Sequence, residues 1–205
     1  MSKMNTEIVI HPKLLHYGLV TANLDAMTNW YHTVLGMTIN HRSTAPAGAQ
    51  NGPPFSAMAF VSNDEFDHRI VFFEMPGLVD DPDKRSHARL QHVAFECETF
   101  DDLLGTYARL KNLGILPLWA ADHGPGTAFY YEDPDKNVVE LSVNNYGDNW
   151  KATEHLKTAP PRLAQVDPDK MIAAHKAGAS SWELHERAFA GEFAPAKSFE
   201  PHTRF

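Results

Sequence analysis

Two segments of this chain share one grammar. Leu14-Leu-His16-Tyr-Gly-Leu-Val20 and Leu90-Gln-His92-Val-Ala-Phe95 each open an apolar stretch with a histidine, 76 residues apart. Each is followed by a helical pattern and then three more apolar runs. A unit that recurs with its helix and strands in the same order must bury each helix on its own strands. The repeat therefore predicts an α+β fold: two tandem βαβββ modules forming a curved mixed sheet around a cleft, with a C-terminal helical extension.

The first module spans about residues 13–75. A strand over 15–20 leads to a helix from Leu24 to Leu35, capped by Asn23 and stopped by Gly36; strands follow over 37–42, 56–62 and 68–74. The Gly/Pro-rich stretch 45–55 reads as a loop that walls or covers a pocket. A charged linker, 75–89, ends the module. The second module, about residues 90–145, repeats the order: a strand over 91–97, a helix from the Thr99 cap to Leu113 ended by Gly114, then strands over 117–121, 127–132 and 138–143. Asp133-Pro-Asp-Lys-Asn137 makes its last tight turn. Residues 1–145 thus form the predicted domain and 146–205 the extension. That extension carries one helix opened by Asp167-Pro168 and running to His175, and another capped at Ser180 or Ser181 and running to Phe189. Residues 1–13 and the last dozen read as loose ends.

A formal net charge of −8 argues against nucleic acid and anionic membrane surfaces, which recruit dense Lys/Arg patches. No segment has the apolar length of a membrane span and the N-terminus lacks a secretory pattern, so a cytoplasmic protein is expected. The single cysteine, Cys97, excludes an internal disulfide or a thiolate-rich metal site and reads as a buried, inert thiol.

Among twelve histidines, those on converging strands carry the chemistry. His16 and His92 open the matching strands, and Glu140 sits inside Val-Val-Glu-Leu-Ser-Val, where alternation turns Val139 and Leu141 to the other face. Each alone is ordinarily a hydrogen-bonded core group or a solvated surface one. At matching positions in two repeats they read as metal ligands instead. Two neutral imidazoles and one carboxylate suit Fe(II) or Mn(II) and leave one side of an octahedral ion open.

The runs His16-x-Gly-Leu-Val, His92-Val-Ala-Phe-Glu and Asp133-Pro-Asp-x-Asn-Val-Val-Glu140-Leu resemble the vicinal oxygen chelate superfamily over roughly residues 13–145. Within it the chain looks most like the small, single-domain type I extradiol dioxygenases. By that resemblance His16, His92 and Glu140 hold Fe(II), with Mn(II) possible. The substrates implied are an aromatic diol and dioxygen, and both oxygen atoms enter the ring-opened product. His68, in Asp67-His-Arg-Ile-Val-Phe-Phe, falls where these enzymes carry a catalytic acid/base. His123 and Tyr130 match the histidine and tyrosine that hydrogen-bond the substrate oxygens. The bland readings are a turn residue for His68, a solvated loop residue for His123 and core packing for Tyr130. Modules of this architecture commonly pair, which points to a homo-oligomer. Phe55, Phe72, Phe95, Trp119 and Phe129 are candidates to line an aryl cavity.

Two alternatives stay open. In a glyoxalase-type isomerase or lyase, Glu74 at the end of the first module's last strand would be a fourth ligand, and zinc or nickel would serve as well as iron. A non-enzymatic module would use the same cleft to sequester a small molecule and would need no metal.

Overall fold

In the computed structural model, which describes residues 11–45, 54–159 and 162–200, each repeat folds on itself. The chain divides into two units, Met1–Val79 and Asp80–Phe205.

In the first unit the order is β1 (Tyr17–Thr21), α1 (Leu24–Leu35), β2 (Thr38–Thr44), β3 (Ala57–Ser62) and β4 (Ile70–Glu74). Asn23 starts α1 by accepting a hydrogen bond from Ala26 N, and Gly36 ends it in the left-handed conformation at φ 67°. The apolar stripe Leu24, Met27, Tyr31 and Val34 is buried against a four-stranded sheet ordered β1-β4-β3-β2, with Tyr31 edge-on to Phe72 at 5.1 Å. β1 runs parallel to β4, while β3 is antiparallel to both β2 and β4.

The second unit repeats that plan with β5 (His92–Cys97), α2 (Phe100–Asn112), β6 (Trp119–Asp122), β7 (Gly126–Glu132) and β8 (Val138–Asn144). Its sheet runs β5-β8-β7-β6-β9, the first four in the same spatial order as in unit 1, again with first and last strands parallel. A Thr99/Asp102 capping box fixes the start of α2, and Tyr107 meets Phe129 at 5.8 Å across the helix–sheet contact. Cys97 lies half-buried, and burial pushes its thiol up to about 11, as an inert side chain requires.

The extension belongs to this unit. Helix α3 (Asn149–Thr158) was not foreseen: it buries none of its residues and so has no apolar stripe to betray it. β9 (Ala164–Gln165) is only two residues long and adds an antiparallel strand beside β6. Helices α4 (Pro168–Lys176) and α5 (Ser181–Phe189) begin at Asp167 and Ser180 as their caps dictate. The expected loose end is not loose as far as residue 199. Phe193 is buried, and Phe199 is hydrogen-bonded through both backbone groups. The N-terminal arm up to residue 10 and most of the Gly/Pro-rich loop, 46–53, lie outside the described residues. Among the described residues no helix is long and apolar enough to cross a membrane.

Candidate metal centre

The β7–β8 hairpin delivers Glu140. Its turn closes on Asp133, whose Oδ1 accepts from Asp135 N and Asn137 N at 2.9 and 2.8 Å, with Lys136 in the left-handed region at φ 60°. From there the register sets Glu140 between Ala94 of β5 and Tyr130 of β7. Side chains alternate along a strand, so His92, Ala94, Glu140 and Tyr130 share the sheet face away from α2. Leu141 and Phe129 take the helix side.

On that shared face His92 Nε2 lies 2.9 Å from Glu140 Oε2, with the carboxylate side chain 12% exposed and the imidazole 36%. His92 Nδ1 meets the side-chain oxygen of Gln91, so both ring nitrogens face acceptors. A neutral imidazole has one N–H to give. A divalent cation held by His92 Nε2 and Glu140 Oε2 would satisfy both groups. With Gln91 accepting at Nδ1, the imidazole would keep Nε2 free to ligate. Nothing in the sequence singled out Gln91, because adjacent strand residues ordinarily point to opposite faces.

Beside this pair the Tyr130 hydroxyl and His123 Nε2 lie 2.9 Å apart, within hydrogen-bond distance, and the Tyr130 ring stands edge-on to His92 at 5.7 Å. Burial, reinforced by the Glu140 carboxylate, pushes the Tyr130 phenol well above its ordinary value. Burial lowers His123. Both shifts favour the same state, a protonated phenol beside a neutral imidazole.

His123 is held by a buried polar cluster that sequence reasoning missed. Asp122, fully buried, accepts from Gly124 N at 2.7 Å. Asn145 Nδ2 reaches Asp122 Oδ1 at 3.0 Å and Gly124 O at 2.9 Å, and His185 Nδ1 of α5 lies 2.9 Å from Asp122 Oδ2. Gly124 itself sits at φ +97°, and a Cβ there would come within 2.7 Å of His155 Nε2.

In unit 1 His16 precedes β1 by one residue and His68 precedes β4 by two, each outside the strand that was expected to contain it. Their rings meet at 4.2 Å, and His68 stacks on Phe60 at 4.4 Å. The Asp67 carboxylate binds His68 Nδ1; the imidazole in turn holds the Asp67 carboxyl below its ordinary value. Phe60 lies on the sheet face opposite Phe72 and α1. Glu74 is otherwise engaged: its Oε2 accepts from Leu24 N at 3.1 Å and its Oε1 from Ser56 Oγ at 2.8 Å. A carboxylate at a helix N-terminus is well placed for a structural role. Among the described residues, neither unit by itself brings three His, Cys, Asp or Glu side chains to one point; unit 2 contributes the His92–Glu140 pair.

Of the five aromatics expected around an aryl cavity, Phe72 and Phe129 are fully buried on the helix sides of their sheets. Phe95 pairs with Leu141 on the face away from Glu140, and Phe55 packs on Phe73 at 5.1 Å. Trp119 lies opposite Tyr130 in the β6–β7 ladder and shares the face of the His92–Glu140 pair.

A family model described as the Glyoxalase/Bleomycin resistance protein/Dioxygenase superfamily matches residues 13–141. The chain belongs to this superfamily. Two superfamily proteins of Rhodococcus globerulus resemble it over most of their length. Biphenyl-2,3-diol 1,2-dioxygenase 3 is 33% identical over 187 residues, 89% of this chain and 92% of its own. Biphenyl-2,3-diol 1,2-dioxygenase 2 is 30% identical over 188 residues, 90% and 92% of the two chains. Among solved structures, a glyoxylase/bleomycin resistance protein/dioxygenase domain from Frankia sp. EAN1pec aligns at a TM-score of 0.53 and 20% identity, covering 66% of this chain and 93% of that one. That likeness speaks for the fold.

Proposed function

We propose that this protein is an extradiol ring-cleavage dioxygenase acting on a catechol-type substrate, with Fe(II) held by His16, His92 and Glu140, Mn(II) being a possible substitute. The observation that carries the reading is the pairing of His92 with Glu140 on adjacent strands, directly beside the Tyr130–His123 hydrogen bond. Relatives named as biphenyl-2,3-diol dioxygenases over nine-tenths of the chain support it. The domain proper is residues 1–145, with 146–205 as its extension, and light scattering tests the proposed homo-oligomer.

Bound to these residues, a divalent ion would gather the two diol oxygens and dioxygen at one centre and let electron density pass from ring to oxygen. The chain's own groups do the rest. His68, oriented by Asp67 through Nδ1, keeps Nε2 available to take a phenolic proton and return it later. Tyr130, as a persistent O–H donor, steadies a developing negative charge on a substrate oxygen. His123, held neutral, donates from Nε2 to the Tyr130 oxygen and so leaves the phenol's own proton for the substrate. The product takes up both atoms of dioxygen and no external reductant is needed.

The glyoxalase-type alternative needs Glu74 as a ligand, and the hydrogen bonds from Leu24 and Ser56 to its two oxygens weigh against it. The test is turnover. Chain loaded anaerobically with Fe(II), then given biphenyl-2,3-diol or catechol with air, should form a yellow ring-opened product with one dioxygen consumed per diol. Turnover of a hemithioacetal by the Ni(II) or Zn(II) form, without diol cleavage, would overturn the proposal.

A further inference from the structure

Gln165 and Phe199 of the C-terminal segment lie against the sheet that carries the His92–Glu140 pair. Gln165 of β9 pairs with Ala121 of β6, and its side-chain amide imitates one more rung. Nε2 donates to Phe199 O at 2.9 Å and Oε1 accepts from Phe199 N at 2.8 Å. Two hydrogen bonds to one residue's backbone restrict its φ and ψ and so aim its side chain. The aimed ring lands on Trp119, with centroids 5.8 Å apart and planes within 22°. Trp119 in turn stacks on Tyr130 at 5.0 Å and 23°, and Tyr130 meets His92 at 5.7 Å. Aromatic surface therefore runs unbroken from the metal-binding imidazole to the tail.

This row differs from the packing on the other side of the sheet. There Phe129 and Tyr131 are sealed, whereas Trp119 and Phe199 are only part-buried, so part of their aromatic surface stays accessible beside the stack. Stacking of this offset kind is selective for planar aromatic groups over alkyl ones.

We propose that Trp119 and Phe199 form the surface on which a second aromatic ring of the substrate lies, so that the C-terminal segment is a specificity element for aryl-substituted diols. This inference rests on the ring-cleavage reading. Phe199 acts by stacking; Gln165 is a positioning residue that holds it there. The extension thereby acquires a role at the site.

The test compares kcat/KM for biphenyl-2,3-diol and for catechol in the iron-loaded full chain. In Phe199→Ala the ratio should fall about tenfold, from lost stacking and lost apolar cover. Gln165→Ala, which keeps the ring but releases its backbone, should lower it in the same direction, and Phe199→Tyr, which keeps an aromatic face, should preserve it. Equal losses for both diols, or an unchanged ratio in folded Phe199→Ala, would overturn the proposal. If the wild type cleaves neither diol, the ring-cleavage reading fails by itself and calorimetry judges the aryl surface. 2-Phenylphenol should bind the wild type about tenfold tighter than phenol and lose that advantage in Phe199→Ala; equal affinities in the wild type would overturn it.

Discussion

Tyr130 is held as a protonated phenol and His123 as a neutral imidazole, because burial pushes the phenol up and the imidazole down. The consequence is a pH dependence with a definite sign. Above about pH 6.5, the ordinary value for histidine, the imidazole is neutral whether the chain is folded or not. As pH falls below it, the unfolded chain takes up the proton first. Stability is therefore lost through the window between the ordinary value and the lowered folded one. Denaturation midpoints followed from about pH 7.5 down to 5 should show this slope in the wild type and less of it in His123→Gln. Removing the donor is the complementary change: Tyr130→Phe should lower kcat about a hundredfold, the cost typical of losing one donor to a charge-bearing oxygen, with iron content unaltered. His68→Asn should lower it by about 10²–10⁴-fold, as loss of a general acid/base does.

At the scale of elements, the turn between β6 and β7 decides whether His123 is in place. Asp122 is fully buried and ties that turn to Asn145 and to α5. Asp122→Ala leaves buried donors unmatched and should cost about 3 kcal/mol, read as a shift in the urea midpoint. Gly124→Ala should be destabilising as well, since its φ is positive and His155 occupies the space a methyl would need. Helix bounds were legible because their caps are local: Asn23, Gly36, Thr99, Asp167-Pro168 and Ser180 each announce an end within a few residues. The repeat exposed the fold, and alternation along β8 exposed Glu140. What stayed hidden depends on distance along the chain. His185 finds Asp122 across 63 residues and Phe199 finds Gln165 across 34, with no periodicity to connect them. Helix α3 escaped for a different reason, since a helix that buries nothing leaves no pattern.

Taken whole, unit 2 joins its extension to the sheet module through polar ties as well as apolar ones. His175 of α4 lies 2.8 Å from the Asp101 carboxylate of α2, and that hydrogen bond raises its proton affinity. The sign is opposite to that of His123: the contribution is complete below about pH 6.5 and is lost as pH rises through the raised folded value. His175→Gln should cost about 0.5 kcal/mol, as partly exposed pairs do, at pH 6 and less at pH 8, measured by thermal unfolding at both.

The claim on which the chemistry depends is that His16, His92 and Glu140 hold one divalent metal ion. Iron per chain, determined by elemental analysis after anaerobic loading and desalting, tests it in the wild type and in His16→Ala, His92→Ala and Glu140→Ala. The account predicts about one iron per wild-type chain and less than about a tenth of that in each folded variant, since removal of a ligand from a three-donor set collapses affinity. Wild-type iron content in any one of the three variants would contradict it.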